Sequence, residues 1–119
     1  MRVVVQATEA RVKATRAAAD TLDHSNAVVC REDVVAALVP GGRLLLEFGE
    51  VQSIDSAGVG ALVAVLKAVR RTGGRMVLIG VPTQVMSVLK TIRLTTVFEI
   101  HDDEAAAMAA LESTPLTSR

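Results

Sequence analysis

Two short runs, "RLLLEF" (43–48) and "RMVLIGV" (75–81), constrain this chain more than any other feature. Each is nearly all apolar, each is bounded by glycines, and each is too short for an ordinary helix. They read as strands buried on both faces. Between them Val59, Leu62, Val63, Leu66 and Val69 fall at offsets of three and four, which predicts a helix with one apolar face. Lys67, Arg70 and Arg71 load its last turns, where cations suit the helix dipole. Gly73 and Gly74 predict its stop. A strand, a helix and a strand in this order imply a parallel pair joined by a right-handed crossover.

The remaining segments extend the pattern. "MRVVVQA" reads as a first strand, and "EARVKATRAAADTLD" as its hairpin partner. Asp23 to Asn26, "DHSN", is a cluster of helix-cap residues. It opens the helix "AVVCREDVVAALV", with Cys30, Val34 and Leu38 as its stripe, ended by Pro40, Gly41 and Gly42. "PTQVMSVLKTIR" predicts a helix with Pro82 in its first turn and Val85, Leu89 and Ile92 on one face. "TTVFEI" reads as a last strand. "DDEAAAMAALES" reads as a terminal helix with Asp102, Asp103 and Glu104 at its favourable end. The order β-β-α-β-α-β-α-β-α gives an α/β fold with a mainly parallel sheet.

Composition narrows the function. The 119 residues hold no Trp or Tyr, and Phe48 and Phe98 are the two aromatics. That argues against base stacking on single-stranded nucleic acid. Thirteen bases balance thirteen acids, so no global field draws DNA or an anionic membrane. Cys30 is the single cysteine and reads as a core residue. No apolar run approaches the roughly 20 residues of a membrane helix, and the first residues lack a signal-peptide core. The expectation is a soluble cytoplasmic protein without cofactor or metal.

The stretch "VQSIDSAGVG" (51–60) places Ser56 at the mouth of the predicted central helix, followed by small residues. A nucleophile elbow needs glycine where Ile54 stands, and nothing in the sequence brings His24 or His101 to Ser56 as a base. Gly58 and Gly60 begin a dinucleotide fingerprint that Val63 breaks, and the P-loop Lys-Ser/Thr is missing. A helix cap remains open, from either Asp55 or Ser56. So does a docking and phosphorylation site: Gly60, Ala64, Lys67 and Arg71 fall opposite the apolar stripe, and Ala57 and Gly58 flank its start. A phosphate there would add about −1.5 to −2 charges to a smooth surface.

From Arg43 to Leu111 the chain resembles the STAS domain family, in particular its anti-sigma factor antagonists. The resemblance rests on a strand, a spacer, Ile54-Asp55-Ser56-Ala57-Gly58-Val59-Gly60, a helix with a Gly-Gly stop, and the elements that follow. "TLDHSNA" looks like the family's Gly-x-Leu-Asp segment. Three departures stand out: Ala57 for the usual Ser or Thr, Glu47-Phe48-Gly49 for Asp-Leu-Ser, and Thr21 for the glycine before Leu22-Asp23. The resemblance implies a STAS fold, with a mixed, mostly parallel sheet of about five strands and about four helices. The length of 119 residues fits one domain, expected over residues 1–112 with a loose tail at 113–119. The resemblance also implies a non-enzymatic switch. The unphosphorylated protein would bind an anti-sigma factor, itself a serine kinase of ATPase fold, and free the sigma factor. Phosphorylation of Ser56 would end binding, and a PP2C-type phosphatase would restore it. The implied contact residues are Asp23, Asn26, Asp55, Ser56, Ala57, Gly58, Gly60 and Ala64. A homodimer stays open. So does a STAS adaptor role in a phospholipid-transport ABC system or a stress-signalling scaffold.

Overall fold

The structure is a computed structural model and describes residues 2–6, 12–16 and 21–113. Its elements are β1 (Arg2–Gln6), β2 (Val12–Arg16), β3 (Thr21–Leu22), α1 (Ala27–Ala37), β4 (Arg43–Glu47), β5 (Ser53–Ile54), α2 (Ser56–Arg71), β6 (Arg75–Ile79), α3 (Thr83–Thr91), β7 (Glu99–His101) and α4 (Glu104–Ser113). The main sheet has five strands in the order β2-β1-β4-β6-β7. β4, β6 and β7 are parallel neighbours, while β1 runs antiparallel to both β2 and β4. β1 alone therefore runs against the other strands of this sheet, which is the mixed, mostly parallel sheet expected. β3 and β5 form a separate parallel pair of two residues each.

The apolar strands β4 and β6 bury both faces because each face has its own helical cover. Leu44, Leu46, Met76 and Leu78 enter a large core with Cys30, Val34, Leu62, Leu66, Val85 and Leu89 from α1, α2 and α3. Leu45, Val77 and Ile79 point the other way, onto Ala107 and Met108 of α4. The period of two along a strand makes this division. Each large aliphatic side chain fully withdrawn from water contributes about 1.5–3 kcal/mol.

The end of α2 shows why the glycine pair stops it. Gly73 adopts φ 76°, its N–H bonds the Arg70 carbonyl at 3.0 Å, and the Gly74 N–H reaches the Val69 carbonyl at 3.0 Å. These two bonds form a Schellman cap. On the α4 side of the sheet, Arg75 donates to both carboxylate oxygens of Glu99, at 2.8 and 2.6 Å, and to the Ala110 carbonyl at 3.3 Å. One guanidinium thus joins β6, β7 and α4. Burial would raise the Glu99 carboxyl, but Arg75 and His101 outweigh it and hold it below its ordinary value.

Several expectations need correction. The buried face of α2 is Gly58, Ala61, Leu62, Val65, Leu66 and Val69; Val59 and Val63 are only half-buried. α2 packs against α1 as well as the sheet, which turns the inward face toward Ala61 and Val65. Leu38 and Ile92 lie beyond their helices, as C-caps, and Ile92 is exposed. Pro82 is the N-cap of α3 rather than a first-turn residue. In "TTVFEI" the strand begins only at Glu99. Leu94–Thr96 forms a 3-10 turn, held by the Val97 and Phe98 N–H groups on the Leu94 carbonyl. The predicted tail falls mostly outside the described residues.

Candidate functional site

The short β3–β5 pair aims two helix starts at the same place. Thr21 pairs with Ser53 and Leu22 with Ile54, in parallel. The chain leaves β3 into the turn 23–26 and α1, and leaves β5 through Asp55 into α2. The Asp55 N–H bonds the Leu22 carbonyl at 3.3 Å, so the pairing continues one step past the strands. Gly58 is buried here. A Cβ on it would stand 2.2 Å from the Leu22 oxygen and 2.7 Å from Cγ1 of Ile54. Its missing side chain lets α2 begin against β3, and its smallness is used inside the protein.

Asp55 settles the capping alternative. Its Oδ1 accepts from the Gly58 N–H at 3.0 Å, which makes it the N-cap of α2. Its other oxygen accepts the His24 N–H at 3.1 Å and lies 3.4 Å from Nδ1 of the His24 ring. One carboxylate therefore caps α2 and holds the loop before α1. The Gly58 N–H is the main reason its carboxyl sits below the ordinary value; partial burial opposes this, and the His24 and Ala57 donors reinforce it.

The turn 23–26 is bonded within itself. Oδ1 of Asp23 accepts from the Ser25 hydroxyl at 2.6 Å and the Ser25 N–H at 2.9 Å. These bonds, the hydroxyl first, lower the Asp23 carboxyl. The Asn26 side chain accepts from the Asp23 N–H at 2.9 Å and donates to the Thr21 carbonyl at 2.8 Å. The part of Asn26 in the structure is thus to shape the loop that carries Asp23.

Ser56 is the first residue of α2 and is exposed. Because Asp55 caps the helix, the Ser56 hydroxyl has no hydrogen-bond partner among the described residues. Around it Gly60 is exposed, and a Cβ there would meet nothing within 4 Å beyond its chain neighbours and its own helix backbone. Ala57 and Ala64 are half-buried. The structure thus brings the Asp23 turn, Asp55, Ser56, Ala57 and Gly60 to the start of α2, while Ala64 lies about two turns further along, at the middle of the helix. It sets Gly58 beneath them and Asn26 within the supporting turn. His24, weighed in the sequence as a base for Ser56, was not among the expected contact residues. It is brought to Asp55 by a backbone N–H, a contact that side-chain spacing does not encode, and its side chain is 84% exposed.

The arrangement offers an exposed hydroxyl next to the Asp55 carboxylate, which can receive a group or meet a partner. Cys30 takes no part: it is buried, and burial pushes its thiol up to about 11, so it stays protonated near neutrality. Among the described residues no three His, Cys, Asp or Glu side chains gather as a metal-binding group. Among the same residues no helix is long and apolar enough to cross a membrane.

With this geometry in place the family is settled. The STAS domain profile matches residues 15–107, and the chain belongs to the STAS domain family. Within it, relatives that carry the name anti-sigma factor antagonist are among the matches. A presumed anti-sigma factor antagonist of Thermotoga neapolitana is 31% identical over 70 residues, covering 59% of this chain and 62% of that protein. The match thus spans less than two thirds of the relative's length. The crystal structure of a presumed anti-sigma factor antagonist from Thermotoga maritima superposes with a TM-score of 0.69 at 25% identity, over 77% of this chain and 80% of that one. An anti-sigma-factor antagonist (STAS) domain protein of Planctomyces limnophilus shares the fold more completely. Its TM-score is 0.75 over 93% of this chain and 98% of that one, at 17% identity.

Proposed function

We propose that this chain is an anti-sigma factor antagonist controlled by phosphorylation of Ser56. It is a cytoplasmic binding protein rather than an enzyme. In its unphosphorylated form it docks an anti-sigma factor through the Ser56 end of α2 and the Asp23 turn, and the sigma factor is freed. The anti-sigma factor is also the serine kinase, of ATPase fold, and a PP2C-type phosphatase returns the protein to its binding state.

The observation that carries this reading is the division of labour between Asp55 and Ser56. Asp55 does the capping, which leaves an exposed hydroxyl with no hydrogen-bond partner among the described residues, near a glycine that leaves room for a partner's backbone. A phosphoryl group on Ser56 would add about −1.5 to −2 charges beside Asp55. A partner carboxylate held about 6 Å away would be repelled by roughly 3 kcal/mol per unit of charge at an effective dielectric near 20. Since about 1.4 kcal/mol is tenfold in affinity, one phosphate suffices for a switch. Asp55 already engages the Gly58 N–H, so the phosphate would face outward and leave the fold unchanged.

The test is a pull-down from the source organism's lysate with wild type, Ser56→Ala and Ser56→Asp side by side, bound proteins being identified by mass spectrometry. Wild type and Ser56→Ala should retain an ATPase-fold kinase that Ser56→Asp loses. Equal capture of a transporter ATPase by all three variants would replace the switch with a STAS adaptor role.

A further inference from the structure

α1 is apolar on two sides. Ala27, Cys30 and Val34 face the core, which accounts for one. On the outer side Val28, Val29 and Val35 are 54%, 56% and 38% exposed. They are three of the five exposed large apolar side chains among the described residues. The other two, Ile92 and Val97, lie outside the α-helices. Exposed positions of α2 carry Ser, Gly, Lys and Arg, and those of α3 carry Thr, Gln, Ser and Lys. Folding gives no reason for the valines. A β-branched residue is a poorer helix former than Ala, Glu or Lys, and an exposed position returns little packing in exchange.

The face also has a sign. Glu32 and Asp33 are exposed among the valines. Its N-terminal end adjoins the turn that carries Asp23 and is tied to Asp55. On α1 the single base, Arg31, is half-buried. We propose that the outer face of α1 is a docking surface for a protein partner that presents apolar side chains rimmed by Lys or Arg. This deepens the reading above, and rests on it for the continuity of α1 with the Ser56 end. A second copy fits poorly: a two-fold interface would bring two copies of the same acidic face, each with Glu32 and Asp33, together. An anionic lipid surface would be repelled by the same acids.

The chemistry can be probed without knowing the partner. Isotope-labelled protein is titrated with a synthetic amphipathic helical peptide of Leu and Lys, and separately with one of Leu and Glu, while backbone amide shifts are followed by NMR. The Leu/Lys peptide should move amides of residues 23–36 and leave α3 and α4 still. The triple variant Val28→Gln, Val29→Gln, Val35→Gln should bind at least roughly fivefold more weakly, a change of about 1 kcal/mol. Its fold should persist, since Gln is no worse a helix former than Val; the matching triple Ala variant provides a second check. Shifts scattered away from α1, equal binding by the Leu/Glu peptide, or full binding by both triple variants would overturn the proposal. Concentration-dependent shifts on α1 without peptide would also overturn it, in favour of a second copy. No kinase or phosphate enters this experiment, so it can fail while the Ser56 switch stands, and the lysate experiment can fail while this one succeeds.

Discussion

Gly58 and Gly60 stand two residues apart in the first turns of α2 and meet opposite surroundings. Beneath Gly58 lies a backbone carbonyl so close that no side chain fits, while the space beside Gly60 is open. The inner side of this turn is fixed by packing, and conformational freedom there would be a fault. The outer side is bare although the fold asks nothing of it. One helix start therefore separates what the protein needs in order to fold from what it holds ready for something else, and substitutions on the two sides should have opposite consequences.

The largest effect belongs to the inner side. Gly58→Ala forces α2 away from Leu22 and should destabilise by about 3 kcal/mol, at the upper end of overpacking costs, measured by urea unfolding. A near-neutral result would erase the contrast. Next comes the boundary, Asp55. Its carboxyl lies below its ordinary value of 3.8 in the folded state, so its stabilisation is fully present above that value and fades as pH falls through the folded one. The unfolding midpoint of wild type should exceed that of Asp55→Asn most clearly near neutrality, and the difference should close below about pH 4. A gap that widens on acidification would mean that Asp55 does not carry the charge-dependent cap.

Outer-side changes should be small or even favourable for folding. Gly60→Ala should raise stability by roughly 0.5–1 kcal/mol, because glycine is the poorer helix former, while weakening capture of the docking partner. An increase in both would show that the bare surface is not used for close approach. Ser56→Ala should be smallest, within about 0.5 kcal/mol of wild type, since Asp55 caps the helix. A larger loss would give Ser56 a structural task and undercut its reading as a switch.

The sequence makes much of this architecture readable, for identifiable reasons. β4 and β6 declare themselves because both faces are buried and almost every residue is apolar. The ends of α2 are legible from Asp55-Ser56 and Gly73-Gly74, whose backbone tasks depend on residue type. The inward face of α2 is less legible, since Val59, Ala61, Val63 and Val65 differ little in character and the choice is made by where α1 packs. β3 and β5 are too short for any periodicity, and pairing alone defines them. Ser56 and Asp55 could be singled out by their setting, but the two glycines look equivalent in one dimension. His24 joins the site through a backbone hydrogen bond, which leaves no trace in residue pattern.

The strand order bears on how the chain comes together during synthesis. β1 is an inner strand of the sheet, yet its partner β4 follows it only after roughly 40 residues. At ribosomal rates of about 5–20 residues per second, one edge of the β1–β2 hairpin waits roughly 2–8 s for its neighbour. During that interval its backbone donors and acceptors are open to any other extended chain. Slowing translation once β1 and β2 have left the ribosome but β4 has not should therefore lower the yield of native protein more than an equal pause after β4 and β6 have both emerged.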